Sequence, residues 1–119
     1  MRLPEAAFVV DDDAAIRDAM HGFLRLLGVP VRLFRSASEF LAAYEPDWSG
    51  HLFVDFQMAG LNGMDLLDEL ARRQTSLRII LITGHGSKER EEKALSKGAF
   101  AMLYKPFSIN SLEALLQCE

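Results

Sequence analysis

The chain has 119 residues, half of them apolar and a quarter charged, and its formal net charge is −4. This length fits one domain over residues 1–119, and the composition is that of a globular protein, not of a disordered or fibrous one. The negative charge argues against direct nucleic-acid binding, the lack of a long apolar run argues against a membrane span, and a single cysteine excludes an internal disulfide. We expect a cytoplasmic protein.

Short apolar runs alternate with helical patterns along the chain. Five runs have the composition of buried strands: 6–10, 31–34, 51–55, 77–82 and 100–103. Helical spacing of apolar residues predicts five helices: 14–27, the residues that follow Ser36, 64–72, 88–97, and the residues that follow Ser108. The run 77–82 is the most hydrophobic, so we expect it at the centre of the sheet.

Two of these helices have features that are clear from sequence alone. Ser36 and Glu39 have the spacing of a capping box, which predicts a helix beginning there. The helix over 88–97 is rich in charge and offers little more than Ala94 and Leu95 to a core. We therefore expect it to be a largely solvated helix that docks weakly and can move.

Alternation of five strands with five helices predicts an α/β fold with one doubly wound parallel sheet. Ligands of such sheets bind beyond the carboxyl ends of the strands, so the residues that follow each strand indicate the site. Those residues are Asp11, Asp12 and Asp13 after the first strand, Asp55 at the end of the third, Thr83 after the fourth, and Lys105 and Pro106 after the fifth.

Several carboxylates in one cleft repel each other by roughly 4 kcal/mol per pair at about 4 Å and an effective dielectric of about 20. Such a cluster needs positive charge close by. Lys105 supplies one charge, and a divalent cation would supply two. Mg²⁺ is the predicted ion because it binds one or two carboxylates and keeps other positions for water and phosphate oxygens.

A carboxylate, Mg²⁺, a lysine and a small hydroxyl together favour phosphoryl chemistry. The carboxylate can act as a nucleophile towards phosphorus, while Mg²⁺ and Lys105 supply positive charge for the transferring oxygens. The hydroxyl of Thr83 can donate to a further oxygen. Each residue alone has a plainer interpretation, such as a helix cap or a turn, and it is their joint occurrence at four strand ends that points to a site.

The chain resembles the receiver domain of two-component response regulators over essentially its full length, and most of all the FixJ-type subgroup. The matching stretches are Val9-Val10-Asp11-Asp12-Asp13, Asp55-x-x-Met58 with Gly63, Ile82-Thr83-Gly84-His85-Gly86, and Lys105-Pro106-Phe107. The resemblance implies a flavodoxin-like strand order of 2-1-3-4-5. It also implies a signalling domain that assists its own phosphorylation and dephosphorylation without being a turnover enzyme.

Carried over residue by residue, the resemblance implies that Asp55 accepts a phosphoryl group from a histidine kinase. It implies a Mg²⁺ site in which Asp12 binds the ion directly, Asp11 binds it through water, and Asp55 and the backbone carbonyl of Gln57 are the other protein ligands. Thr83 would then bond a phosphoryl oxygen, and Lys105 would pair with the acyl phosphate. A cis peptide is implied at Lys105–Pro106. The implied consequences are a change around the 88–97 helix and the fifth strand, homodimer formation on phosphorylation, and control of a C-terminal DNA-binding output domain.

The sequence departs from the family pattern at two positions. Ala59 stands where a proline is usual, which loosens the loop without touching the chemistry. Met102 stands three residues before Lys105, where an aromatic switch residue is usual. Met is flexible enough to fill the same space. Strand alternation places Phe100 and Tyr104 on the side of Met102, so either ring could substitute for it.

Two other functions remain open at this point. One is a small Mg²⁺-dependent phosphohydrolase with an aspartate nucleophile, although such enzymes generally have a second acid two residues later, where this chain has Gln57. The other is a degenerate receiver that acts only as a protein-binding module. The complete set of acids, threonine and lysine argues against that second alternative, and Met102 argues mildly for it.

Overall fold

The chain folds as five strands and five helices in alternation, and the computed structural model describes residues 6–58, 60–84 and 86–117. The strands are β1 (Ala7–Val10), β2 (Val31–Phe34), β3 (Ser49–Asp55), β4 (Ser76–Thr83) and β5 (Ala101–Tyr104). The helices are α1 (Ala14–Leu26), α2 (Ala37–Ala43), α3 (Gly63–Arg72), α4 (Lys88–Ser96) and α5 (Ile109–Gln117). In the described part of the chain, no helix is long and apolar enough to cross a membrane.

The five strands form one parallel sheet in the order β2-β1-β3-β4-β5, which confirms the predicted fold class and strand order. The prediction that β4 is central was wrong in detail. β4 is an interior strand between β3 and β5, and the middle strand is β3. Both strands end in five consecutive buried residues, so hydrophobicity identifies interior strands without ranking them.

Alternation of side chains along the strands gives the sheet two apolar faces. One face packs against α2, α3 and α4, in a cluster that includes Phe8, Val10, Leu52, Val54, Leu81, Phe40, Leu67 and Ala94. The other packs against α1 and α5, in a cluster that includes Val9, Phe53, Ile80, Ile82, Met20, Leu24, Leu112 and Leu116. A sheet covered on both faces by helices explains why its strands are continuous apolar runs.

α4 is the least buried of the helices on its face of the sheet. Ala94 is its one buried residue, whereas Leu95, predicted to face the core, is 44% exposed. Two further contacts, one at α4 and one at its C-cap, are made by polar side chains. The Lys97 ammonium lies 3.0 Å from a carboxylate oxygen of Asp68 on α3, and the Arg90 guanidinium lies 5.2 Å from the centre of the Phe56 ring.

The helix caps agree only partly with the sequence patterns. The Ser36 hydroxyl accepts the Glu39 N–H at 3.0 Å, but the Glu39 carboxylate accepts from the backbone of Arg35 at 3.4 Å, so only half of the predicted capping box forms. A full capping box lies instead at the start of α3, between Asn62 and Asp65. Their Asn-x-x-Asp spacing is chemically equivalent to the usual serine and glutamate pattern.

Candidate functional site

The parallel register brings four strand ends to one edge of the sheet. Val10 of β1 pairs with Val54 of β3, and Asp55 pairs with Ile82 of β4. Thr83, the last residue of β4, pairs with Tyr104, the last residue of β5. The residues that immediately follow these pairs therefore meet in space, as the sequence predicts.

Three carboxylates meet at this edge. Asp11, Asp12 and Asp55 each offer one oxygen, and the three oxygens lie within 4.8 Å of one another. Asp11 and Asp55 are buried, whereas Asp12 is exposed. The cluster is thus closed on one side by protein and open to solvent on the other.

Asp11 is the carboxylate that the fold buries most completely. Its Oδ1 accepts the backbone N–H of Asp13 at 2.9 Å, while its Oδ2 is buried without a hydrogen-bond partner among the described residues. Burial, with a smaller contribution from the negative charge of Asp55, raises the pKa of Asp11 to about 6. A buried oxygen left in this state is one that a cation can satisfy.

The backbone around Asp11 is fixed by its neighbours. Its N–H donates to the carbonyl of Phe34 on β2 at 3.1 Å, and its own carbonyl accepts a hydrogen bond from the Arg17 guanidinium at 2.8 Å. Asp13 caps α1, because its side chain accepts the N–H of Ala15 at 2.9 Å. Of the three consecutive acids, two therefore point to the cluster and one serves the helix.

Asp55 is held at the end of β3 and 8% exposed. Its Oδ1 accepts the backbone N–H of Gln57 at 3.0 Å, and its Oδ2 lies 3.7 Å from the Lys105 ammonium. The backbone beyond it is packed against the start of α3, since a Cβ on Gly63 would lie 2.7 Å from the Asp55 carbonyl oxygen. A side chain at position 63 would thus displace the loop that follows Asp55.

Thr83 and Lys105 complete the edge opposite the acids. Thr83 is buried at 3% exposure, and its carbonyl accepts the Lys105 N–H at 2.8 Å. The Lys105–Pro106 peptide bond is cis. The backbone of Lys105 is therefore tied to β4, while its ammonium reaches Asp55.

The donor set of this edge fits a magnesium ion. Three carboxylates supply hard oxygen ligands, Asp11 Oδ2 has no hydrogen-bond partner among the residues that the structure describes, and the exposed side of the cluster leaves room for water or phosphate oxygens. The residues that would hold the ion are Asp11, Asp12 and Asp55. Gln57 is exposed on the loop after Asp55, and the role of its backbone carbonyl as a further ligand stays a prediction.

The three residues considered for the switch position lie in different surroundings. Met102 is half-buried and packs against the cluster on the α2–α4 face, while Tyr104 is 40% exposed. The placement of Phe100 on the same side was wrong: Phe100 packs against the opposite cluster, because it precedes β5 and does not follow the alternation of the strand. Ala59 and His85 lie outside the described residues.

Sequence reasoning missed two contacts near the site. One is the hydrogen bond from Arg17 to the Asp11 carbonyl. The other is the position of Tyr104, whose ring lies so close to Gly86 that a Cβ there would be 1.9 Å from Tyr104 Cε1. Gly86 was the signal in the sequence for this contact, because a glycine in a loop often marks a place where another group approaches the backbone closely.

Comparison with known proteins identifies a family and several relatives of this chain. Residues 7–117 match the response regulator receiver domain family. The chain is 40% identical over 100 residues to Nodulation protein W of Bradyrhizobium diazoefficiens, covering 84% of this chain and 44% of that protein. It is 36% identical over 110 residues to the transcriptional regulatory protein FixJ of the same organism, covering 92% of this chain and 54% of that protein.

A solved structure has the same fold over nearly the whole chain. The full-length FixJ of B. japonicum superposes with a TM-score of 0.87 at 35% identity, covering 97% of this chain and 57% of that one. The chain thus spans only part of its curated relatives, from 22% to 54% of their length.

Proposed function

Because the chain belongs to the response regulator receiver domain family, we propose that it is a phosphorylation-activated switch of a two-component system. In this proposal Asp55 accepts a phosphoryl group from a histidine kinase. The observation that carries it is the position of the Asp55 carboxylate, which lies among two further carboxylates and 3.7 Å from the Lys105 ammonium.

In the transfer step, an oxygen of Asp55 attacks the phosphorus of a phosphohistidine. The new bond joins phosphorus to that oxygen, and the bond from phosphorus to the histidine nitrogen breaks with its electron pair left on nitrogen. Lys105 balances the charge of the transferring group, and Thr83 donates its hydroxyl to one of its oxygens. Bound Mg²⁺ would supply further positive charge for those oxygens.

The product, an acyl phosphate on Asp55, brings more negative charge and acceptor oxygens into the cleft. Thr83 and Lys105 are then drawn towards it, and the loops after β3 and β4 follow. α4 is the element that responds, because Ala94 is its one buried residue. The size of the shift is set by how much better the phosphate binds the changed state than the resting one.

The proposed output is control of transcription through a DNA-binding domain that follows this one, with homodimer formation on phosphorylation. Support comes from relatives such as FixJ and TdiR, which are named transcriptional regulatory proteins and of which the matched region covers 54% and 44%. The receiver itself, with a net charge of −4, has no electrostatic basis for binding DNA. In this proposal, the histidine kinase phosphorylates the receiver in the cytoplasm.

Incubation with Mg²⁺ and a small acyl phosphate donor tests the proposal. A switch accumulates close to one phosphoryl group per chain, measured as the mass of the intact protein. A phosphohydrolase would instead release inorganic phosphate continuously in proportion to the donor supplied. A degenerate receiver would gain no mass, and either of these two results would contradict the proposal.

A further inference from the structure

Tyr104 occupies a position between the phosphoacceptor site and α4. It ends β5 immediately before Lys105, and in the sheet it is paired with Thr83. Those two neighbours are the groups that the proposed function assigns to the phosphoryl oxygens. Any displacement of Thr83 or Lys105 is therefore transmitted directly to the backbone of Tyr104.

The ring of Tyr104 lies against the loop that connects β4 to α4. Three ring atoms would be within 3 Å of a Cβ on Gly86, and the closest would be only 1.9 Å away. Gly86 precedes Ser87, the N-cap of α4, whose side chain accepts the Arg90 N–H. Ring and loop thus occupy adjoining space, so a shift of the loop towards the ring displaces the ring.

The hydroxyl of Tyr104 reaches α4 itself. Glu91 lies close enough to affect this hydroxyl: burial, and after it the interaction with the Glu91 carboxylate, raise the pKa of Tyr104 above its usual range. Glu91 lies in the first turn of α4. One side chain therefore contacts both the loop before α4 and the helix.

Met102, in contrast, cannot make such a connection. Its side chain has no ring to fix an orientation and no hydroxyl to bond α4, and it packs among apolar residues under the strand. The position usually held by an aromatic switch is thus filled by a flexible side chain, while an aromatic with two specific contacts stands two residues later.

We propose that Tyr104 is the positioning residue that couples the phosphoacceptor site to α4 in this chain, through its ring at Gly86 and its hydroxyl at Glu91. This inference rests on the proposed function. When Thr83 moves towards the phosphoryl group, the loop at Gly86 moves with it, the ring is displaced, and the position of its hydroxyl beside the first turn of α4 changes. Tyr104 transmits the change without touching the phosphoryl group.

The test uses beryllofluoride with Mg²⁺ as the phosphoryl mimic and measures amide chemical shifts. In the wild-type protein we expect shifts at Thr83 and Lys105 and along α4. In Tyr104→Ala we expect the mimic to bind with an unchanged midpoint, because the site residues are intact, while the shifts along α4 become at least about twofold smaller. Glu91→Gln keeps an acceptor for the hydroxyl and should preserve the wild-type response.

Two glycine variants test the contact between the ring and the loop independently, one as the test and one as its matched control. Gly86→Ala places a methyl group where the ring lies, so it should displace the exposed ring and reduce the α4 response as Tyr104→Ala does. In the double variant, Gly86→Ala with Tyr104→Ala, the α4 shifts should be no smaller than in either single variant, since both substitutions act on the same contact. Gly84→Ala adds a methyl group with nothing within 4 Å and should leave the α4 response intact.

The outcomes separate this inference from the function on which it rests. If wild type binds the mimic and Tyr104→Ala shows α4 shifts of full size, the coupling role of Tyr104 is refuted and the switch survives. If wild type itself shows no response to the mimic, the result contradicts the proposed function, and the coupling role falls with it. Thermal unfolding of each variant shows whether a lost response reflects a lost fold.

Discussion

Asp11 shows how far the properties of one residue follow from its position in the sequence. Acids at strand ends predict that carboxylates meet, and three of them do. The spacing cannot predict that Asp11 is fully buried with one oxygen unpartnered, because that depends on how the Phe34 backbone and Arg17 enclose it. The free-energy cost of burying this carboxylate in the metal-free protein is therefore visible only in the structure.

Asp11→Asn keeps the shape and the acceptor for the Asp13 N–H while removing a buried charge. We expect the metal-free variant to unfold at a higher temperature than wild type, with a gain of about 1–3 kcal/mol, since a rise in pKa from 3.8 to about 6 corresponds to that order of free energy at neutral pH. The stabilisation of the protein by added Mg²⁺ should shrink. Thermal unfolding with and without Mg²⁺ measures both effects, and an unchanged Mg²⁺ increment would contradict the assignment of Asp11 as a ligand.

His51 is a second buried polar residue whose environment the sequence does not reveal. It lies in β3 at 3% exposure, with neither ring nitrogen hydrogen-bonded within the described part of the chain. Its ring stacks with Phe53 and meets the edge of Phe100, and Arg78 is its partner on β4. Burial, reinforced by the charge of Arg78, lowers the pKa of His51 to about 4.

This lowered pKa predicts a dependence of stability on pH. At this histidine the unfolded chain, with a pKa near 6.5, binds more protons than the folded protein between pH 6.5 and 4, so the contribution of His51 to stability falls as the pH drops through that window. The loss is on the order of 3 kcal/mol. The raised pKa of Asp11 acts in the opposite direction below about pH 6, so the loss is measured as a difference between proteins. In urea unfolding at several pH values, His51→Phe should gain stability relative to wild type as the pH falls from 6.5 to 4, because it lacks this loss. His21→Gln, at a half-buried position on α1, is the control and should retain it.

At the scale of elements, α3 and α4 differ in what holds them to the sheet. α3 buries Gly63, Leu66, Leu67 and Leu70, whereas α4 buries only Ala94 and is otherwise attached by exposed or half-exposed polar side chains. The charge-rich sequence of 88–97 allowed weak docking to be predicted. The contacts of Arg90 with Phe56 and of Lys97 with Asp68 could not be predicted, because they join residues far apart in the chain.

Native-state hydrogen exchange should separate these two helices. We expect amides of α4 to exchange through local opening at a free energy well below that of global unfolding, and amides in the middle of α3 to exchange near the global value. Lys97→Met, which removes a partly exposed ion pair, should lower the opening free energy of α4 by no more than about 1 kcal/mol. Equal protection of the two helices would contradict weak docking of α4.

At the scale of the whole molecule, the alternation of strands and helices was sufficient to predict one parallel sheet and the edge at which the site forms. The strand order came from the resemblance and agrees with the structure. The distribution of helices between the two faces, and the middle position of β3, depend on how the whole chain packs. The position of Phe100 was mispredicted for a related reason, because the alternation applies only within a strand, and β5 begins at Ala101.

The central claim is that one carboxylate, held in a cluster of acids beside a lysine, receives the phosphoryl group. Labelling with a radioactive small phosphodonor and Mg²⁺ tests it most directly when wild type is compared with Asp55→Asn and with Asp18→Asn, an exposed acid on α1. We predict label on wild type and on Asp18→Asn, and none on Asp55→Asn. Label of wild-type intensity on Asp55→Asn would contradict the claim.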